Sequence, residues 1–227
     1  MTANPVDRPE AGVVPAPTER APQAVAGGGP HPMLVIISGP SGVGKDTIIA
    51  ALQKRGHRPE YQYVVTCTTR GRRPNETDGV SYHFLSPADF AALRESGQLL
   101  EANEVHGNWY GTPRAGVRGA LARGQHAILK IDVQGARVVK ASVPEALLIF
   151  VVPPSVETLA EHLKARRTES PEQLEIRQRD AAVEMARKDD YDHVVVNEEG
   201  RVDVTAERIE EIIGQEEWRG SRRSVTV

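Results

Sequence analysis

A glycine-rich run that ends in a lysine is the part of this sequence best suited to chemistry. It reads Gly-Pro-Ser-Gly-Val-Gly-Lys-Asp-Thr and has the Gly-x-x-x-x-Gly-Lys spacing of a phosphate-binding loop. The backbone N–H groups of such a loop and the N-terminus of the next helix surround phosphate oxygens, while the lysine reaches the β- and γ-phosphates. The candidates for binding a nucleoside triphosphate are Gly39, Pro40, Ser41, Gly42, Val43, Gly44, Lys45, Asp46 and Thr47, and Lys45 is also a candidate catalytic residue.

The segments on either side have the character that a phosphate-binding loop requires. Apolar residues 33–37 predict a buried parallel strand before the loop, and residues 48–52 predict the first turns of a helix after it. A purely structural glycine-rich turn is the alternative interpretation. The strand, the spacing, the lysine and the helix together favour a phosphate loop.

One position of the loop departs from the pattern. The residue after Lys45 is usually Ser or Thr, whose hydroxyl binds Mg²⁺, but here it is Asp46, with Thr47 one place later. A carboxylate is a suitable oxygen ligand for Mg²⁺, yet it also brings negative charge towards the phosphates. Asp46 or Thr47 is thus the candidate metal ligand, and we expect the handling of metal to differ from the pattern.

Composition limits the class of protein. The chain of 227 residues is 39% hydrophobic, which predicts one sizeable core with tails, and its net charge of −3 does not indicate a nucleic-acid partner. The single cysteine, Cys67, excludes an intramolecular disulfide and suits a reducing cytosol. No apolar stretch approaches the ~20 residues of a membrane span. We therefore expect a cytoplasmic protein with no membrane partner, and the sequence leaves its oligomeric state open.

Two terminal segments are set apart by composition. Residues 1–32 are rich in proline, glycine and alanine and contain no aromatic residue, so they are predicted to be a disordered tail. An alternative is that translation starts at Met33. Residues 216–227 are predicted to form a basic C-terminal tail.

The central part of the chain alternates between apolar runs and helical patterns. Strands are predicted at 33–37, 61–66, 126–131, 146–152 and 193–196, with helices between them at 134–141, 156–166 and 171–187 and after the last strand at 202–215. This alternation predicts a mostly parallel α/β sheet covered on both faces. Residues 61–110 contain shorter strands and polar loops and are predicted to include an inserted lobe.

An arginine-rich loop forms a second candidate site. Residues 68–82 contain Arg70, Arg72 and Arg73 and end in Tyr82. A guanidinium group binds phosphate in a bidentate manner, through two hydrogen bonds, and a phenol hydroxyl supplies a further hydrogen-bond donor. A solvated charged loop is the alternative, but a phosphate loop in the same chain favours a site for a second, phosphorylated substrate.

Several motifs follow in order along the chain. They are the phosphate loop, Thr68-Thr69-Arg70 with Arg73 and Glu76, Gly79 to Phe84, Leu100-Glu101, Gly107 to Thr112, Ile131 to Gly135, Val152 to Ser155, and Tyr191-Asp192 with Val196-Asn197. Together they closely resemble guanylate kinase over residues 33–215. The resemblance implies a P-loop nucleoside monophosphate kinase-like fold with a GMP-binding lobe inserted at about 66–112 and a helical lid at about 160–185.

The resemblance also implies roles for individual residues. The GMP-binding residues would be Arg70, Arg73, Tyr82, Glu101, Tyr110, Thr112 and Asp132. Guanine offers N1–H and N2–H₂ donors that the Glu101 carboxylate can accept as a pair, whereas adenine has no such donor pair. Arg166 and Arg177 match catalytic lid arginines that close over the ATP phosphates, and Asn197 matches a position near the nucleotide sites.

Three further positions depart from the family. His162 stands where a lid arginine is usual, Arg167 where glycine is common, and Lys130 where an acid is frequent. The activity implied is transfer of phosphate from ATP to GMP with Mg²⁺ as cofactor, giving ADP and GDP. Two alternatives remain at this stage, a catalytically inactive guanylate-kinase-like binding module and a kinase for a ribose phosphate.

Overall fold

The computed structural model describes residues 31–55, 60–105, 107–164, 171–219, 225 and 227. Within these ranges the side chains of residues 163–164, 171–175 and 177 are outside the description. The predicted N-terminal tail up to residue 30 and Arg166 and Arg167 therefore lie outside the described residues.

Five parallel strands form the main sheet, namely β1 (Leu34–Ser38), β2 (Tyr61–Tyr63), β7 (His126–Lys130), β8 (Leu147–Val152) and β9 (His193–Val196). Their order across the sheet is β2-β7-β1-β8-β9. β1 and β8 are wholly buried, and apart from Ser38 all their residues are aliphatic or aromatic, as is typical of interior strands of a parallel sheet. The α/β prediction is confirmed.

Helices cover both faces of this sheet. They are α1 (Lys45–Lys54), α3 (Arg114–Ala122), α4 (Val133–Ser142), α5 (Val156–Lys164), α6 (Pro171–Met185) and α7 (Val202–Arg219). Ile48 of α1 and Ile209 of α7 belong to the core on one face, while Val117 of α3 and Val139 of α4 belong to the core on the other. A 3₁₀ turn, Lys188–Asp190, precedes β9.

A second sheet of four short strands lies between β2 and α3 in the chain. Its order is β4-β3-β6-β5, from β3 (Cys67–Thr68), β4 (His83–Phe84), β5 (Leu99–Val105) and β6 (Asn108–Pro113). Helix α2 (Pro87–Glu95) packs its buried Phe90 against this sheet, beside Cys67 and Leu99. The antiparallel β5–β6 hairpin brings Glu101 opposite Thr112, a register that matters for the site.

Two element boundaries differ from the sequence-based prediction. The single strand predicted at 61–66 is two strands, because the chain leaves the main sheet after Tyr63 and joins the second sheet at Cys67. The last helix continues to Arg219, so the first residues of the predicted C-terminal tail are helical. They are fixed there because Glu216 bonds His193 and Glu217 bonds the buried His126. In the described part of the chain, no helix has the length and apolar character needed to cross a bilayer.

Candidate active site

A cleft opens where β1 and β7 end, between the main sheet and the second sheet. Parallel strands present the turns at their carboxyl ends on one edge, which is where ligands bind in α/β sheets. The cleft is lined by residues from the phosphate loop, the arginine-rich loop and the β5–β6 hairpin, namely Lys45, Asp46, Thr47, Arg70, Arg73, Tyr82, Glu101, Tyr110 and Asp132, together with Lys130 and Glu184. The structure thus brings the two candidate sites of the sequence into one cavity.

The phosphate loop runs close against the main sheet. Gly39 has φ 145°, and a Cβ there would stand 2.3 Å from the carbonyl oxygen of Val151 on β8. Gly44 has φ 93°, directly before α1, and a Cβ there would meet the Asn197 amide at 2.8 Å. These two positions require glycine because any larger residue would push the loop out of its place.

Lys45 is held inside this loop. Its Nζ donates to the carbonyl oxygens of Gly39 at 2.6 Å and Pro40 at 3.0 Å. Burial lowers the pKa of Lys45, and the negative charges of Glu184, Asp46 and Asp132 oppose that shift. An ammonium group in this position faces the cleft, where it can bind phosphate oxygens.

Asn197 holds the phosphate loop from the other side. Its Nδ2 donates to the carbonyl oxygen of Val43 at 2.8 Å, and its Oδ1 accepts from the Thr205 hydroxyl at 3.0 Å. Thr205 is almost fully buried at the start of α7. The amide therefore links the loop to α7 through two hydrogen bonds and helps to hold the loop in place.

Replacing Asn197 by alanine should raise KM for ATP by about 5-fold, because one net hydrogen bond to the loop contributes about 1 kcal/mol. Steady-state kinetics with varied ATP would measure the change. Thr205→Val, which removes the hydroxyl that donates to the Asn197 amide but leaves the bond from Asn197 to the loop, should raise KM for ATP less and in the same direction. Unchanged KM values in both variants would show that the loop does not need this link.

The arginine-rich loop is organised by Glu76. Its Oε1 accepts from Arg70 Nη2 at 2.7 Å, and its Oε2 accepts from the backbone N–H of Arg73 at 2.8 Å. Arg70 also lies 5.6 Å from the centroid of the Tyr82 ring, which in turn lies 6.0 Å from the Tyr110 ring. Two arginines and two phenols therefore converge on one wall of the cleft, a donor set suited to a phosphate group.

Glu101 is a buried carboxylate with both oxygens oriented. Only 4% of the Glu101 residue is exposed to solvent. Its Oε1 accepts from the Thr112 hydroxyl and its Oε2 from the Asn103 amide, each at 2.7 Å. Burial raises its pKa to about 7; hydrogen bonds from Thr112 and Asn103 oppose the shift, and the charge of Asp132 adds to it. Because each carboxylate oxygen accepts two hydrogen bonds, each retains capacity for a donor from a ligand.

Asp132 has a structural task as well as a place in the cleft. It is the N-cap of α4, and its Oδ1 accepts from the backbone N–H of Gly135 at 2.8 Å. A role of Asp132 in contacting a bound base remains a prediction.

Two contacts in the cleft were missed by the sequence reading. Glu184 of α6 accepts from the backbone N–H of Ser41 at 3.0 Å, and burial raises its pKa against the nearby charge of Lys45. Lys130 forms an ion pair with Asp46. The two residues of each pair are far apart in the sequence, and no motif connects them. Only the unusual residue types at positions 46 and 130 indicated a departure from the usual pattern.

The predicted lid falls on α5 and α6. Arg177 lies within α6, but its side chain is outside the description, and its role and that of Arg166 stay predictions. His162 of α5, where the resemblance suggests an arginine, has its Nδ1 3.2 Å from the carbonyl oxygen of Gly42. An imidazole therefore contacts the phosphate loop at this position.

Comparison with known proteins gives consistent matches. Residues 31–216 match the family model described as guanylate kinase. The guanylate kinase of Thermobifida fusca is 48% identical over 72% of this chain and 83% of its own length, and that of Mycolicibacterium paratuberculosis is 48% identical over 72% of this chain and 74% of its own. The crystal structure of guanylate kinase from Anaplasma phagocytophilum superposes with a TM-score of 0.69 at 30% identity, covering 85% of this chain and 89% of that chain.

Proposed function

Because this chain belongs to the guanylate kinase family and catalyses transfer of the γ-phosphoryl group from ATP to GMP, we propose how its residues divide that work. One observation carries the assignment. The oriented carboxylate of Glu101, suited to the N–H groups of guanine, lies in the same cleft as the phosphate-loop lysine. This pairing joins a guanine-recognising group to a triphosphate-binding group.

On the donor side, the backbone N–H groups of the loop and the N-terminus of α1 bind the ATP phosphates. Lys45 contacts the β- and γ-phosphates and neutralises the charge that moves with the γ-phosphoryl group. The predicted lid arginines, Arg166 and Arg177, add positive charge and exclude water when the lid closes.

On the acceptor side, Arg70, Arg73, Tyr82 and Tyr110 bind the phosphate of GMP. Glu101 and Thr112 contact the guanine edge, with Asp132 nearby. The attacking phosphate oxygen is already anionic at neutral pH, so no general base is needed. The protein therefore contributes positioning and charge neutralisation, which account for most catalysis of phosphoryl transfer.

The donor set fits Mg²⁺ as the cofactor. Asp46 and Thr47 place oxygen atoms in the first turn of α1, on the cleft. Mg²⁺ is typically held by one or two carboxylates together with substrate phosphates and water. When bound, the ion would neutralise negative charge on the phosphates during transfer.

The proposal is tested by measuring ADP release from ATP with GMP, AMP, UMP and a ribose phosphate offered in parallel. We expect efficient turnover with GMP and at most a low activity with AMP, loss of the GMP turnover in EDTA, and recovery on addition of Mg²⁺. Tight GMP binding without turnover would indicate a binding module instead. Turnover with the sugar phosphate would contradict the assignment of the acceptor, and turnover in EDTA would contradict the metal requirement.

We further propose a cytoplasmic enzyme whose partners are its small-molecule substrates. The single cysteine, Cys67, is fully buried and unpaired with another cysteine, as suits a reducing compartment. The net charge of −3 offers no general attraction for nucleic acid.

A further inference from the structure

Lys130 and Asp46, two positions at which this chain departs from the family pattern, are in contact. Lys130 is the last residue of β7 and lies beside Ile37 of β1 in the parallel register. That register places it next to the phosphate loop that follows β1. Its Nζ forms an ion pair with the Asp46 carboxylate in the first turn of α1.

The Lys130 side chain also reaches the phosphate-binding wall of the second sheet. Its Nζ lies 4.8 Å from the centroid of the Tyr82 ring, the same ring that Arg70 contacts at 5.6 Å. The side chain of Lys130 is 20% exposed, whereas that of Asp46 is 74% exposed. The Lys130 side chain is therefore largely enclosed between the phosphate loop and the acceptor wall (Arg70, Arg73, Tyr82 and Tyr110), whereas the Asp46 side chain is largely exposed to solvent.

The charge of Lys130 is maintained in this enclosed position. The Asp46 carboxylate pairs with the ammonium group of Lys130, and the Tyr82 ring lies beside that group. An ammonium has three N–H donors, and these neighbours do not use all of them. The Lys130 ammonium, with one N–H donor not used by these neighbours, therefore lies near the arginines assigned to the acceptor phosphate.

We propose that Lys130 is a further substrate-binding residue of this enzyme, whose Nζ contacts the phosphate of GMP, and that Asp46 is a positioning residue that holds Lys130 in place for it. This rests on the proposed function, because the acceptor wall is defined by the assignment of GMP to it. Lys130 neutralises the charge that Asp46 brings to the phosphate loop. It also adds one cation to the arginines and tyrosines assigned to the phosphate of GMP. Loss of Lys130 then has two effects: a phosphate contact disappears, and the positive charge that offsets the Asp46 carboxylate near the phosphates is removed.

The test measures GMP binding by calorimetry, without ATP or metal, so that any metal role of Asp46 does not enter. Lys130→Met should weaken GMP binding by about 10- to 30-fold, as expected for loss of a charge-assisted hydrogen bond. The affinity for a non-hydrolysable ATP analogue, measured with Mg²⁺, should fall by a smaller factor than the affinity for GMP, because this ligand loses no direct contact with Lys130 and meets only the charge of Asp46. Lys130→Arg should recover part of the GMP affinity because it restores the cation. Lys54→Met, the same replacement at an exposed site on α1, is the matched control.

The double variant Lys130→Met with Asp46→Asn gives the decisive comparison. If Lys130 neutralises the charge of Asp46, the double variant should bind GMP more tightly than Lys130→Met alone. Circular dichroism and Tm would verify that each variant is folded. GMP binding by Lys130→Met equal to that of wild type, or a loss confined to the ATP analogue, would overturn the proposal. Failure of the proposed function would look different, since the wild-type protein itself would then not phosphorylate GMP.

Discussion

Replacing Lys45 by methionine should reduce kcat for GMP phosphorylation by about 10³-fold or more, with the protein still folded. The Nζ of Lys45 is the cation that projects from the loop into the cleft, where it is held by the Gly39 and Pro40 carbonyls. Charge develops on the transferred phosphoryl group, and the proposed closure of the lid would exclude the solvent that could otherwise replace a missing cation. Steady-state ADP release measures the change.

The stability of the variant separates catalysis from folding. Because burial lowers the pKa of Lys45, folding disfavours its charge, and removing that charge offsets the loss of its two hydrogen bonds to the loop, so Tm should change little. Lys54→Met makes the same replacement at the other end of α1 and should retain wild-type kcat. A folded Lys45→Met variant with more than a tenth of wild-type turnover would refute the assigned role.

The phosphate loop could be predicted from sequence because its determinants are local. The strand, the glycines, the lysine and the helix follow one another within residues 33–52, and their spacing alone predicts the position of the turn that binds phosphate. The reason for glycine at Gly39 is not local, however. It comes from the Val151 carbonyl on a neighbouring strand, and only the strand order reveals that.

Contacts between distant segments could not be predicted from one sequence. Lys130 and Asp46 are 84 positions apart, and they meet only because β7 lies directly beside β1. Glu184 reaches Ser41 across 143 positions through the packing of α6. The contact between Glu101 and Thr112 is an intermediate case in how far it could be predicted. Thr112 faces Glu101 across the hairpin, so a correct β5–β6 register would have predicted that contact.

Replacing Glu101 by glutamine should lower kcat/KM for GMP by about 10²-fold or more and leave the low activity with AMP little changed. Two hydrogen bonds from guanine to a carboxylate contribute about 1.5–3 kcal/mol each, and the amide of glutamine turns one acceptor into a donor. The ratio of kcat/KM for GMP to that for AMP is the measured quantity. Glu95→Gln, an exposed residue at the end of α2, is the matched control and should keep the wild-type ratio.

The pH dependence of GMP binding gives an independent test of the same residue. Since the pKa of Glu101 is raised to about 7, GMP must displace a proton from it in acidic solution. The wild-type affinity for GMP should therefore fall as pH decreases below about 7, and level off above it. The GMP phosphate also titrates near pH 6, so the ratio of wild-type to Glu101→Gln affinity is the quantity to follow, because the phosphate contribution cancels.

Folding stability should report the same ionisation with the opposite sign. A carboxylate whose pKa is raised by folding binds its proton more tightly in the folded state, so it costs stability as pH rises from about 4.5 to about 7. The difference in free energy of unfolding between Glu101→Gln and wild type should grow in favour of the variant over that interval. GMP affinity and folding stability would then respond oppositely to pH through one group, which a residue on the solvated surface could not do. A pH-independent affinity ratio, together with an unchanged GMP/AMP ratio in the variant, would remove Glu101 from the guanine site.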